Sequence, residues 1–547
     1  MLKSLRERFI GKPLNPLNPD TRKHMVLVAF LAWVGLGADG LSSSNYGPEE
    51  AFLALGSHTQ LGLYLALATA LTVFIIAMAY NQVIELFPSG GGGYKVATKL
   101  LGSHTGLVSG AALVIDYVLT IAISVASGVD ALFSLLPHGM QNFKLAAAVV
   151  LLLLLIILNL RGMKESIKIL MPIVVGFFLT HAFLISYGIY AHAEGLPALI
   201  PDTIKETTTL AQQMGWIFVA SLFLRAYSLG GGTYTGIEAV SNNVNMLAEP
   251  RVRTGKLTMF FMAFSLAFTA GGIIVLYLLW DVKHVDGMTL NAVTFDAIIA
   301  TWGMPNWLSG TTLLVVLVLE ALLLFVAANT GFLGGPAVMA NMAADSWVPH
   351  HFRQLSSRLV TQNGIIVMGV SALLILIWTK GSVSLLVVLY SINVFLTFTL
   401  SLLGLSVHWW SDRRSVRNWK RRLALSLLGL TVSFSILLIT LIEKFSDGGW
   451  VTVLITSLVV IFCLLIHKHY EKTRLKLREI EKIFAQSIKS GSCLPKKLDA
   501  ELPTAVIMVD EKSRCGHTYH HVGHAAVSRP FQELYFPVRG RGGYTEL

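Results

Sequence analysis

Residues 28–52 read VAFLAWVGLGADGLSSSNYGPEEAF. Apolar turns lead into Gly35, Gly37, Asp39 and Gly40, and Ser42, Ser43, Ser44, Asn45, Tyr46, Gly47 and Pro48 follow. An unbroken helix here would place many poor helix formers at membrane depth. Irregular backbone survives at that depth only where it is buried in protein or lines a cavity. The span is therefore expected to be broken, its first half ending with free carbonyls beside Asp39. A carboxylate, carbonyls and nearby Ser and Tyr oxygens suit a cation. The competing reading makes Asp39 a cap on the second half-helix in a water-filled mouth.

The rest of the chain supports a membrane setting. Of 547 residues 54% are hydrophobic and only 13% charged, too little charge for a soluble surface of this size. Spans of roughly 20 apolar residues are predicted at 25–55, 60–87, 104–136, 144–160, 167–192, 213–246, 257–280, 306–330, 364–380, 383–407, 422–442 and 449–467. This makes an all-α membrane protein of about twelve helices. No cleavable signal peptide is expected, because a charged segment ending in Arg22 and Lys23 runs straight into the first span.

The net charge of +11 follows topology and does not call for a nucleic-acid partner. Lys and Arg gather before the first span, at 161–168, at 251–256, at 413–422 and after residue 467. The loops at 56–59, 137–143, 193–212, 281–305 and 443–448 are nearly free of them. Basic loops mark the cytoplasmic side, so both termini are expected inside a cell membrane. The domains read as a cytoplasmic N-terminus (1–24), a transporter domain (25–467), a charged helical linker (468–502) and a short α/β tail (503–547) that opens with one buried strand at PTAVIMVD. Cys463, Cys493 and Cys515 suggest no disulfide framework. His517, His520, His521 and His524 match no compact zinc pattern and read as surface residues. PSGGGGYKVA at 88–97 lacks the Gly-Lys-Ser/Thr ending of a phosphate loop and reads as a tight cytoplasmic turn.

Two further spans carry polar chemistry. FLRAYSLGGGTYTGIEAVSNNVNML, residues 223–247, places Gly230, Gly231 and Gly232 mid-span, then Thr233, Thr235 and Glu238. Two interrupted spans, five apart and opposite in direction, mark an inverted-repeat transporter whose site lies between the breaks. In the third span, LVIDYVLTIAISVASG puts Asp116, Thr120 and Ser124 at i, i+4 and i+8, with Tyr117 beside the stripe. An unpaired charge at the bilayer centre costs from about 2.5 to well over 10 kcal/mol, so each intramembrane carboxylate is a functional candidate. Tyr390 is read either as a cavity hydroxyl or as an interfacial anchor. Glu320, His181 and Arg225 are read as interhelical pairing partners, and Glu85 as interfacial. No nucleotide-binding or hydrolytic constellation appears, so no enzymatic activity is expected and an ion gradient or the membrane potential would drive transport.

ADGLSSSNYGPEE, FPSGGGGYKVA, DYVLTIAIS, TGIEAVSN and LYSINVFLTFTLS together resemble the amino acid–polyamine–organocation superfamily, and within it the KimA-type potassium importers. The resemblance spans nearly the whole membrane domain. It implies a LeuT-like fold, a 5+5 inverted repeat plus two further helices. It also implies potassium uptake coupled to protons, with Asp39, Tyr46, Asp116, Tyr117, Thr120, Ser124, Thr235, Glu238 and Tyr390 at the cation site. Glu238 is the candidate for the coupling proton. A homodimer, a swapped domain of universal-stress-protein type and restraint by cyclic di-AMP are implied too, although the tail is shorter than such a domain. An amino-acid or polyamine permease of the same superfamily is the alternative, against which Asp39 argues: a substrate carboxylate would not choose a fixed negative neighbour. A non-transporting membrane sensor is the third reading, and it needs none of the three carboxylates.

Overall fold

The computed structural model describes residues 27–161, 167–356, 358–489, 504–510 and 532–538. The basic N-terminal segment, Cys493, Cys515 and the histidines at 517–524 lie outside the described residues.

Helix α1 (Ala29–Ser42), a 3-10 turn (Ser43–Asn45) and α2 (Gly47–Leu53) make the first, interrupted span. Then come α3 (Gly62–Leu86), the short α4 (Gly92–Leu100), α5 (Ser103–Phe133), α6 (Lys144–Leu160) and α7 (Ile167–Ala191). The loop expected after the fifth span instead holds α8 (Leu196–Met214). Helix α9 (Trp216–Leu229), a 3-10 turn (Gly230–Tyr234) and α10 (Ala239–Asn242) make the second interrupted span. They are followed by α11 (Arg251–Leu279), α12 (Leu290–Ala300), α13 (Asn306–Ala344), α14 (Gln362–Trp378), α15 (Val383–Ser411), α16 (Trp419–Lys444) and α17 (Trp450–Lys489). Among the described residues nine helices are long and apolar enough to cross a membrane: α3, α5, α6, α7, α11, α13, α15, α16 and α17.

The chain divides into two units, Met1–Cys463 and Leu464–Leu547. In the second, β1 (Thr504–Asp510) pairs in parallel with β2 (Gln532–Val538), Thr504 opposite Gln532. The strand expected at PTAVIMVD is thus not alone. Its partner segment, QELYFPV, carries Pro537, a residue that weakens a strand pattern in sequence.

In the first unit α5 is the hub, packed against α13, α15, α14 and α6. Some 89% of its most apolar window is buried, against 17% for α6. That contrast decides where polar residues are tolerated: those on α5 are screened from lipid by other helices. Apolar burial does not draw helices together in lipid, so close approach depends on small residues. A Cβ on Gly334 of α13 would sit 2.5 Å from the Tyr117 ring, and one on Gly331 would sit 3.0 Å from the Tyr117 carbonyl oxygen. These glycines let α13 lie directly against the polar stripe of α5.

Candidate functional site

The first span does not break at Asp39. Helix α1 continues three residues past it, and the non-helical residue is Tyr46, at φ −130° and ψ −33°. The serines account for the difference. Ser42 Oγ donates to the Asp39 carbonyl oxygen at 2.7 Å and Ser44 Oγ to that of Leu41 at 2.7 Å. Ser43 Oγ lies 2.6 Å from the Gly40 carbonyl oxygen and 2.7 Å from that of Thr233. The carbonyls expected to be free are therefore engaged by hydroxyls one turn on. Pro48 in the first turn of α2 restarts the helix, having no N–H that needs a partner there.

The second interruption is deeper. Thr235 is extended (φ −70°, ψ 153°), and Gly236 has a φ of +78°. A Cβ at Gly236 would lie 2.5 Å from the Gly40 nitrogen. Only glycine permits both that conformation and that approach. The two interrupted spans thus touch backbone to backbone where Asp39 and Glu238 sit.

Helix α5 supplies the third wall. Asp116, Tyr117, Thr120 and Ser124 are all buried, each 2% exposed or less. The Thr120 hydroxyl donates to the Asp116 carbonyl oxygen at 3.0 Å and lies 2.9 Å from the Tyr390 hydroxyl. Tyr390 of α15 is therefore buried against the polar stripe of α5 and not an interfacial anchor. Tyr46 and Thr235 hydroxyls are 3.4 Å apart, and Thr235 also donates to the Gly232 carbonyl oxygen at 2.8 Å. Ser124 is on the same α5 face, one turn beyond Thr120.

Among the described residues, Asp116 Oδ1 and Glu238 Oε2 are buried and accept no hydrogen bond. Asp116, Glu238 and Asp39 lie close enough to interact electrostatically. Three carboxyls cannot all stay ionised in a dry interior without compensating positive charge. Such a cluster can accept a proton or a cation, and the other oxygens around it are neutral hydroxyls and carbonyls of the kind that suit a hard ion.

Three residues of this region escaped the sequence reading. Thr330 of α13 faces the Asp39 carboxyl. Asn242 donates through Nδ2 to the Tyr117 hydroxyl at 2.7 Å. Tyr80 of α3 is buried near Glu238. Thr330 follows Asn329 and Tyr80 precedes Asn81 and Gln82, but neither has a polar residue one helical turn away to mark a stripe. Asn242 stands in SNN, four residues after Glu238, where a local amide run carries no signal of a tertiary partner.

The remaining polar candidates fall elsewhere. His181 Nε2 and Asn291 Nδ2 each lie 2.9 Å from Glu320 Oε1, a buried structural network. Glu85 pairs with Lys256 and, at 2.6 Å, with Arg422. Arg225 departs from expectation: it lies on the exposed face of α9 and makes no ion pair among the described residues. A guanidinium on that face can reach outward along its own aliphatic stem, which removes the need for a partner. The glycine-rich stretch is also more than a turn. Gly91 N donates to the Asn242 carbonyl oxygen at 3.1 Å, and Gly92 begins α4 against the Asn242 side chain.

Residues 37–466 match the family model described as amino acid permease. The chain is 31% identical over 487 residues to the potassium transporter KimA of Bacillus subtilis (strain 168), covering 88% of this chain and 77% of that one. A crystal structure of the Eremococcus coleocola manganese transporter, in complex with an aromatic bis-isothiourea substituted compound, aligns over 83% of this chain and 95% of its own at 14% identity, with a TM-score of 0.47. A mutant of the same transporter aligns over 80% and 93%, also at 14% identity, with a TM-score of 0.46.

Proposed function

The chain belongs to the amino acid permease family, and on that premise we propose that it imports potassium by symport with protons. The cation would sit among Asp39, Asp116, Tyr46, Thr120, Ser124, Thr235 and Tyr390, with Tyr117 bracing α10 through Asn242. Glu238 would carry the coupling proton. The observation that carries this reading is the pair of buried acceptor oxygens, Asp116 Oδ1 and Glu238 Oε2, left without donors beside Asp39. The likeness to a potassium transporter points the same way. In the proposed architecture the two interrupted spans head the halves of a LeuT-like 5+5 repeat. Both termini are cytoplasmic, and the protein works as a homodimer in the cell membrane.

The test is uptake of rubidium or potassium into proteoliposomes, with and without an inward proton gradient. Cation uptake stimulated by the gradient is expected. Robust amino-acid or polyamine uptake with no alkali-cation flux would overturn the reading in favour of a permease for organic substrates. The absence of any flux would favour a sensor.

A further inference from the structure

A cavity of about 330 Å³ lies above the site, bordered by Asn45, Tyr46, Glu49, Glu50, Asp130 and Ser127. Its rim comes from segments at 284–289 and 380–384, on the face opposite the Lys/Arg-rich loops. Its floor is Tyr46, whose hydroxyl lies 3.4 Å from the Thr235 hydroxyl below.

Two features of its lining are unaccounted for. The first is Asn45, which is 5% exposed yet has neither side-chain atom, Oδ1 nor Nδ2, hydrogen-bonded. Burying an amide without partners is costly, and such groups in native proteins are normally met by water or an ion. The second is the use made of the carboxylates. Glu49 Oε1 accepts from the Leu290 N–H at 3.1 Å, and Glu50 Oε1 accepts from the Ser384 hydroxyl at 2.7 Å. Among the described residues no hydrogen bond reaches the second oxygen of either. Asp130 is answered by Lys144 at 2.8 Å. Lys380 and His284 stand at the exposed rim, while the buried Lys444 lies within electrostatic range of Glu50 from behind the lining. Three carboxylates, Glu49, Glu50 and Asp130, thus face two inner cations, Lys144 and Lys444, and the interior keeps an acidic balance that its edge does not share.

We propose that this cavity is an outer capture site for a partly hydrated monovalent cation, held by Glu49 and Glu50. Asn45 Oδ1 replaces one water as the ion passes Tyr46. The inference rests on the cation-uptake reading of the site below and adds a second station to it. A carboxylate-lined recess raises the local cation concentration, an effect that salt weakens. Its signature belongs in apparent affinity, not in turnover.

The experiment is initial-rate rubidium uptake by full-length protein in proteoliposomes, over a range of rubidium concentrations. It compares wild type, Glu50→Gln, the Glu49→Gln/Glu50→Gln pair and Asn45→Ala. The paired variant is expected to raise KM about five- to tenfold, a larger effect than on Vmax, by loss of the focused field. Raising ionic strength with the chloride of a bulky organic cation should raise wild-type KM and leave that of the paired variant flat. Glu50→Gln is isosteric and keeps its contact with Ser384, so it covers the case in which the pair does not fold. Rubidium uptake with wild-type KM and salt response in every variant overturns the capture site alone. No rubidium uptake by the wild type overturns the potassium reading and the capture site with it.

Discussion

Asp39 is buried to 4% exposure, in contact range of Thr330 and near two other carboxyls. Replacing it with Asn keeps the shape and removes the charge. Asp39→Asn is expected to abolish growth rescue of a potassium-uptake-deficient strain at low potassium; wild-type rescue would remove the residue from the site. Glu238 has a different expected phenotype. In wild type, uptake should rise as external pH falls, because protons drive the cotransport. Glu238→Gln should flatten that dependence, and an unchanged pH profile would reassign the coupling proton. Two glycines give a steric contrast. A Cβ at Gly40 would meet nothing closer than Met262 Sδ at 3.4 Å, which can yield, whereas Gly236 combines a φ of +78° with backbone at 2.5 Å. Gly236→Ala should cost several kcal/mol, from roughly 1–2 kcal/mol of backbone strain plus an overpacking penalty of about 1–3. Gly40→Ala should be mild. Melting temperatures in detergent would separate them, and equal shifts would contradict this account of the crossing.

Among elements, the interrupted spans are joined to each other as well as to the hub. Ser43 Oγ reaches from the 3-10 turn after α1 to the Thr233 carbonyl oxygen in the second interruption. Ser43→Ala leaves buried carbonyls without that donor, a loss of about 1–3 kcal/mol of stability, readable as a lowered melting temperature. An unchanged melting temperature would show water taking over the bond. The His181–Glu320–Asn291 network ties α7, α12 and α13 and, among the described residues, makes no hydrogen bond to a residue of the proposed cation site. Glu320→Gln preserves an acceptor there and should retain uptake, while Glu320→Leu should destabilise the protein. Loss of uptake in a well-folded Glu320→Gln protein would move this pair into the transport path. The interruptions themselves were legible in sequence, because runs of Gly and Ser violate helix propensity inside an apolar span. Their end-points were not. Ser42, Ser43 and Ser44 are poor helix formers in isolation, but in this fold their hydroxyls bond the carbonyls behind them and carry α1 past Asp39.

For the whole molecule, filling a site that exists only in the folded state stabilises that state by mass action. Potassium at a hundred times its Kd should add about 2.7 kcal/mol. A melting temperature that rises with potassium in wild type, and not in Asp39→Asn, is the expected result. A rise of equal size in both would place the stabilising ion elsewhere. The sequence alone determined the membrane class, from hydrophobic runs long enough to span a bilayer. It also determined the two interruptions and the polar stripe of α5, since backbone propensity and a period of 3.6 are local properties. Which oxygens remain without donors is not local. Among the described residues, Asp116 Oδ1, Glu238 Oε2 and the Asn45 amide belong to the buried polar atoms to which the other helices bring no partner. In the same way Glu320 found its partners on α7 and α12, while Arg225 was left on the surface. A residue type announces which bonds it can make; only packing settles which of them are made within the protein and which are left for an ion.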